Sequence, residues 1–148
     1  MKNINLELVQ NKLNELLDYI NELKYFETLT LTEFLSDRHR QFTIEKIIEL
    51  VVQTAIDINK YMLKKKDINL KNLTSHQTFL EMSKFEIITD KLAEEIEESV
   101  DTRNVLAHRY FEISPEEVFV EIDDILEKYP RYVRQIETFI NSLQDSQT

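Results

Sequence analysis

The chain has 148 residues with no cysteine, no glycine, two prolines and a formal net charge of −10. Without cysteine there are no disulfides, thiolate metal sites or thiol nucleophiles, and without glycine the loops of P-loop and dinucleotide-binding domains lose the residue on which their close approach to phosphate depends. The acidic balance argues against non-specific binding of nucleic acid, so an RNA-directed role would need a local cationic site. The length suits one domain over 1–148, large enough for a self-sufficient core. Met1 to Asn5 lacks the apolar stretch of a signal peptide, and no run approaches the ~20 apolar residues of a membrane span. A cytoplasmic protein without a membrane partner is expected.

Leu6, Val9, Leu13, Leu16, Ile20 and Leu23 recur at steps of three and four, which predicts an amphipathic helix from about Leu6 to Phe26. Thr30 or Thr32 is placed to cap the next helix, with Glu33 near its favourable end. That second helix is predicted to be long and central, because Ile44, Ile48, Val51, Ala55, Ile58 and Met62 form a stripe that Ile47, Val52 and Ile56 widen. Lys64, Lys65 and Lys66 follow and are read as basic residues at a helix C-terminus rather than a dedicated RNA patch. Asp67 to Leu73 reads as a loop. Thr74 or Ser75 caps a short helix holding Phe79, Leu80 and Met82. Thr89 or Asp90 starts another, with Leu92, Ala93, Ile96 and Val100 inward, running unbroken into a segment rich in polar groups. Ser114-Pro115-Glu116-Glu117 is a helix start with a cap, a proline at the first position and acids behind it. Val118, Ile122, Ile125 and Tyr129 carry that helix, Tyr132 or Val133, Ile136, Ile140 and Leu143 continue it, and Pro130 is expected to kink or split it. Residues 143–148 are expected to be a frayed tail. The pattern predicts an all-α protein, an antiparallel up-and-down bundle of four to six helices.

Few residues are candidates for chemistry. His39 and His76 read as surface or capping residues, and no two histidines have the i, i+4 spacing of a helical zinc site, so no metal or other cofactor is expected. Glu94-Glu95, Glu97-Glu98 and Asp123-Asp124 are adjacent pairs whose members point about 100° apart, so they read as solvated faces rather than convergent dyads. His108 lies five residues after Arg103 and four after Asn104. On one regular helix Arg103 would share an azimuth with Leu92, Ile96 and Tyr110 to within roughly 40°, while Arg103 and His108 stand about 140° apart. An arginine on an apolar stripe is costly unless it is paired. Spacing alone leaves two readings open: an Arg103 paired with an acid and a His108 satisfied in the core, or a catalytic pair that converges only in a groove, at a distorted helix end or across two subunits.

Arg103-Asn104-Val105-Leu106-Ala107-His108-Arg109-Tyr110 resembles the R-x4-H-x-Y signature of HepT toxins in the HEPN superfamily. Gln53-Thr54-Ala55-Ile56-Asp57-Ile58 looks like that family's central helix, and Thr78-Phe79-Leu80, Val118-Phe119 and Phe139 fit as well, so the resemblance spans roughly residues 6 to 143. Gln53 stands where the family commonly has an acid, Asp101-Thr102 where a small or aromatic residue is common, and Arg109 where an acid is often found. The resemblance implies a HEPN-like bundle and a metal-independent endoribonuclease toxin of a toxin–antitoxin pair, a homodimer whose motif helices meet in a cleft. It implies Arg103 and His108 as catalytic residues, with Asn104 and Arg109 supporting them or binding phosphate. It also implies neutralisation by a minimal nucleotidyltransferase antitoxin (MntA-like) that adds AMP to Tyr110. The chemistry is coherent: imidazole is the side chain whose ordinary pKa lies near neutrality, guanidinium binds phosphate bidentately, and a ribose 2′-OH nucleophile restricts cleavage to RNA. The alternative is a non-catalytic helical subunit that pairs with a nucleotidyltransferase.

Overall fold

The computed structural model describes residues 1, 3–108 and 113–147. In chain order the helices are α1 (Leu6–Lys24), the five-residue α2 (Leu31–Leu35), α3 (Arg38–Lys65), α4 (Ser75–Lys84), α5 (Asp90–Ile96), α6 (Ser99–His108) and α7 (Pro115–Gln147), with a 3-10 turn at Leu70–Asn72. No strand occurs among the described residues. The six helices longer than α2 form the expected all-α bundle, up-and-down except that α4 follows α3 in the same direction: α3 packs on α1, α4, α6 and α7, and α7 also covers α1 and α5. No described helix is long and apolar enough to cross a membrane.

The apolar stripes land where their periods put them. Val9, Leu13, Leu16, Ile20 and Leu23 of α1 are buried, and α3 is buried along its whole length from Ile44 to Leu63, as a central helix must be. At its N-terminus α1 meets the end of α3, where the Asn5 amide donates to the Tyr61 hydroxyl at 3.0 Å, so the two run antiparallel. α5 and α6 run antiparallel to α7, tied by Thr89 to Gln135 and by Ser99 to Tyr129. Within that frame α4 lies alongside the last turns of α3 in the same direction. Asn59 meets Thr78, and seven residues further along both helices Lys66 meets Phe85.

The caps follow the sequence at Thr74, Thr89 and Ser114, each of which accepts a backbone amide of the following turn. Thr30 also caps with Glu33 as partner, but it opens α2 rather than the long helix. Asp37 opens α3, its carboxylate accepting from the Arg40 amide at 3.1 Å. Pro130 does not split the last helix, and α7 runs through it as one element to Gln147, into the stretch expected to fray. Buried Tyr129 and Tyr132 flank the proline and hold both halves against the core.

Helices that end in a left-handed residue usually place glycine there. This chain has none and uses Asp67 (φ 61°) after α3 and Glu86 (φ 58°) after α4. Both ends close the same way, with Ile68 donating to the Leu63 carbonyl and Ile87 to that of Met82. A side chain in that conformation costs roughly 1–2 kcal/mol, partly recovered by the lower chain entropy of a non-glycine residue. Glu86→Gly is therefore expected to raise stability by up to about 1 kcal/mol, read as a higher urea midpoint with an unchanged slope.

Candidate active site

α6 carries the motif, and its start is not the one expected. The predicted continuous helix from residue 90 onward is broken at Glu97 and Glu98, which separate α5 from α6. Ser99 explains the break. Its hydroxyl donates to the Ile96 carbonyl at 2.6 Å and accepts from the buried Tyr129 hydroxyl at 2.7 Å, so a side chain supplies what the helical ladder would otherwise supply. Burial pushes the Tyr129 phenol far above its usual range, which keeps it a donor.

Buried Val100 and Leu106 anchor α6, and Arg103 is half-buried against the first turn of α4. Its Nη2 donates to Ser75 Oγ at 3.1 Å. Its Nε is buried and has no hydrogen-bond partner among the described residues. Nor does Arg103 pair with an acid among the described residues; it is held by a neutral hydroxyl. Ser75 is itself fixed by a buried polar chain. The Tyr132 hydroxyl donates to Asn59 Oδ1 at 2.5 Å, Asn59 Nδ2 donates to Thr78 Oγ1 at 3.2 Å, and Thr78 donates to the Ser75 carbonyl at 2.7 Å. Three helices thus set the position of the guanidinium. Beside it, His76 Nε2 lies 2.8 Å from Asp101 Oδ1 and forms a second tie between α4 and α6.

Asn104 is half-buried, and His108 is exposed at the last residue of α6 rather than satisfied in the core. Arg109 and Tyr110 lie outside the described residues. A groove of about 1240 Å³ runs between the α4–α5 connection and the second half of α7, and none of Arg103, Asn104 or His108 lines it.

Sequence reasoning missed Ser75 as the arginine's partner and read His76 as a surface or capping residue without its tie to Asp101. Thr74 does the capping, and nothing local announces contacts made 25 and 28 residues along the chain. It also missed Glu121, which is half-buried beside Thr102. Burial pushes its carboxyl up, Asp124 and Glu98 add to that, and Lys128 and the Thr102 hydrogen bond oppose it. Because its pKa is raised in the folded state, ionised Glu121 costs stability above the folded pKa, and the cost vanishes once both states are protonated. Glu121→Gln is expected to raise the melting temperature at about pH 7 and to leave it unchanged near about pH 3, as thermal unfolding at the two pH values will read.

The sequence matches the family described as "Ribonuclease HepT-like" over residues 16–136. It is 37% identical over 145 residues to the tRNA nuclease HepT of Aphanizomenon flos-aquae (strain 2012/KM1/D3), covering 98% of each chain. Its fold is similar to that of the tri-AMPylated HEPN toxin of Shewanella oneidensis, solved in complex with MNT antitoxin, with a TM-score of 0.80 at 18% identity over 91% of this chain and 99% of that one. A toxin–antitoxin crystal structure with AMP-PNP contains a chain that superposes with a TM-score of 0.79 at 17% identity, over 89% of this chain and 98% of that one.

Proposed function

Because the chain belongs to the HepT-like ribonuclease family of the HEPN superfamily and is an enzyme of that class, we propose that it is the toxin of a toxin–antitoxin pair, a cytoplasmic, metal-independent endoribonuclease. In this reading Arg103 and His108 cut RNA, and a cognate minimal nucleotidyltransferase neutralises the protein by adenylating Tyr110. The observation that carries the reading is the guanidinium of Arg103. It is half-buried, held in place by a neutral hydroxyl, and its buried Nε has no partner among the described residues. A charge partly removed from water, with no acid among the described residues to match it, is poised for an anion.

The chemistry needs no bound group. A ribose 2′-oxygen attacks the adjacent phosphorus and loses its proton, the bond to the 5′-oxygen breaks, and that oxygen gains a proton. The products are a 2′,3′-cyclic phosphate and a free 5′-hydroxyl. His108 moves one of these protons. Arg103 holds the non-bridging oxygens and stabilises the charge that grows on them. Asn104, one turn before His108, orients the imidazole or binds phosphate, and Arg109 adds positive potential.

His108 and Arg103 are offset by about 140° on a regular helix. That offset supports a homodimer in which one subunit supplies the arginine and its partner the histidine. The substrate class is RNA, and tRNA is the substrate named for the relative from Aphanizomenon. The non-catalytic alternative draws only on the acidic surface and leaves the arginine site unexplained. Purified protein is expected to cleave RNA in the presence of a chelator and to lose that activity on Arg103→Ala or His108→Ala. Intact RNA after incubation with the folded, unsubstituted protein would favour the non-catalytic subunit instead.

A further inference from the structure

We propose that the shared end of α3 and α4 is a second RNA-backbone site, a patch of Lys64, Lys65, Lys66 and Lys84 that grips substrate phosphates away from the scissile bond. The inference rests on the nuclease reading above. Its first support is where the charge lies. Residues 60–84 hold six lysines and two acids, a net of +4, which leaves −14 on the rest of a chain whose total is −10. A polyanion repelled by most of the surface has a reason to approach here.

The second support is convergence. Because α3 and α4 run in parallel and end in matching left-handed turns, Lys64 to Lys66 and Lys84 arrive at one end of the molecule from two helices. A single helix dipole would account only for its own lysines. Lys66 Nζ lies 5.5 Å from the Phe85 ring centroid and Lys65 Nζ lies 5.4 Å from that of Tyr61, so rings steer two of the ammonium groups. The acids nearby are Asp67, Glu81 and Glu86. Glu81 pairs with Lys84 at 2.7 Å, but that lysine side chain is 70% exposed, and an exposed pair of this kind yields readily to a phosphate.

The third support is position. α4 begins at Ser75, which holds Arg103, and ends at Lys84. Nine residues of helix separate the two by about 14 Å, a span of a few nucleotides. Ser75 and Lys84 stand about 180° apart around the helix, so an RNA that meets the arginine reaches the lysine end by crossing α4 rather than by lying along one face of it. Lysine serves such a site as an unspecific point charge. The patch does not suit a protein partner. Protein interfaces are poor in lysine and have apolar centres, whereas the exposed large apolar side chains (Leu8, Tyr25, Leu31, Leu35, Phe42 and Val120) all lie outside residues 60–84.

The test compares Lys→Gln and Lys→Arg at positions 64, 65, 66 and 84 together. Binding to a tRNA-length transcript is measured in a His108→Ala background, and cleavage of an oligonucleotide too short to reach the far end of α4 is measured in the active protein. The Gln variant is expected to bind the long RNA about tenfold or more weakly, and its plot of log affinity against log salt is expected to flatten by about 3, roughly 0.7–0.9 for each of the four phosphates no longer neutralised. Its rate on the short substrate should match that of the unsubstituted protein, and the Arg variant should restore long-RNA binding. Unchanged affinity and salt slope overturn the proposal. So does an equal loss on short and long RNA, or unchanged RNA binding with loss of a co-expressed nucleotidyltransferase, which would make the patch a protein-docking surface. Lysine-dependent binding by an unsubstituted protein that cuts no RNA would sink the nuclease reading and leave the patch standing.

Discussion

Arg103→Ala and His108→Ala are each expected to abolish growth inhibition and RNA cleavage while the bundle stays folded. Losing a positioned proton-transfer group costs about 10² to 10⁴ in rate, and losing the group that holds the developing phosphate charge costs about 10² to 10³. Groups that act on one transition state are not additive, so the double variant should be little slower than the worse single one. The structure supports a surviving fold. His108 is exposed, and among the described residues Arg103 gives up one hydrogen bond to a serine rather than a buried ion pair. Thermal unfolding should therefore move by a few degrees at most. Arg103→Lys separates charge from geometry: it keeps the cation and loses the planar fork, and it should remain strongly impaired. Cleavage by the unsubstituted protein should persist in chelator. A folded His108→Ala protein with normal toxicity would exclude the acid–base role.

The bundle is legible in the sequence because burial of a helix face writes a period into the chain. The stripe from Val9 to Leu23 and the wide apolar surface of Ile44 to Leu63 state their own packing, and Thr74, Thr89 and Ser114 announce helix starts by local chemistry. What is not legible depends on partners distant in sequence. Ser99 breaks the expected helix because Tyr129, thirty residues on, needs a hydroxyl partner in the core. Pro130 fails to split α7 because its neighbours are held in the core. The same holds at the site. The motif spacing points to Arg103 and His108 but cannot say that Arg103 rests on Ser75, that Asn59, Thr78 and Tyr132 fix that serine, or that His76 closes on Asp101. Lys64 to Lys66 read as an ordinary helix end, and only the direction of α4, which no local pattern encodes, brings its C-terminal end to them, with Phe85 beside Lys66.

Co-expression with the cognate nucleotidyltransferase is expected to add one or more adenylates to Tyr110, visible in the mass of the intact protein and of the peptide carrying residues 109–112. The phenolic oxygen would attack the α-phosphorus of ATP and release pyrophosphate, leaving a bulky phosphodiester with a negative charge seven residues after Arg103. A group of that chemistry competes for the guanidinium that the substrate phosphate needs. If it occupies Arg103, the loss of activity should match that of removing the arginine, about 10² to 10³, or roughly 3–4 kcal/mol of transition-state stabilisation. Tyr110→Phe separates the two roles. It removes the acceptor oxygen but leaves Arg103 and His108 in place, so it should cut RNA within a few-fold of the normal rate and stay toxic when the antitoxin is present. Full neutralisation of Tyr110→Phe by an active nucleotidyltransferase, with no mass added, would mean that inhibition works by occlusion in the complex, and the tyrosine would lose its assigned role.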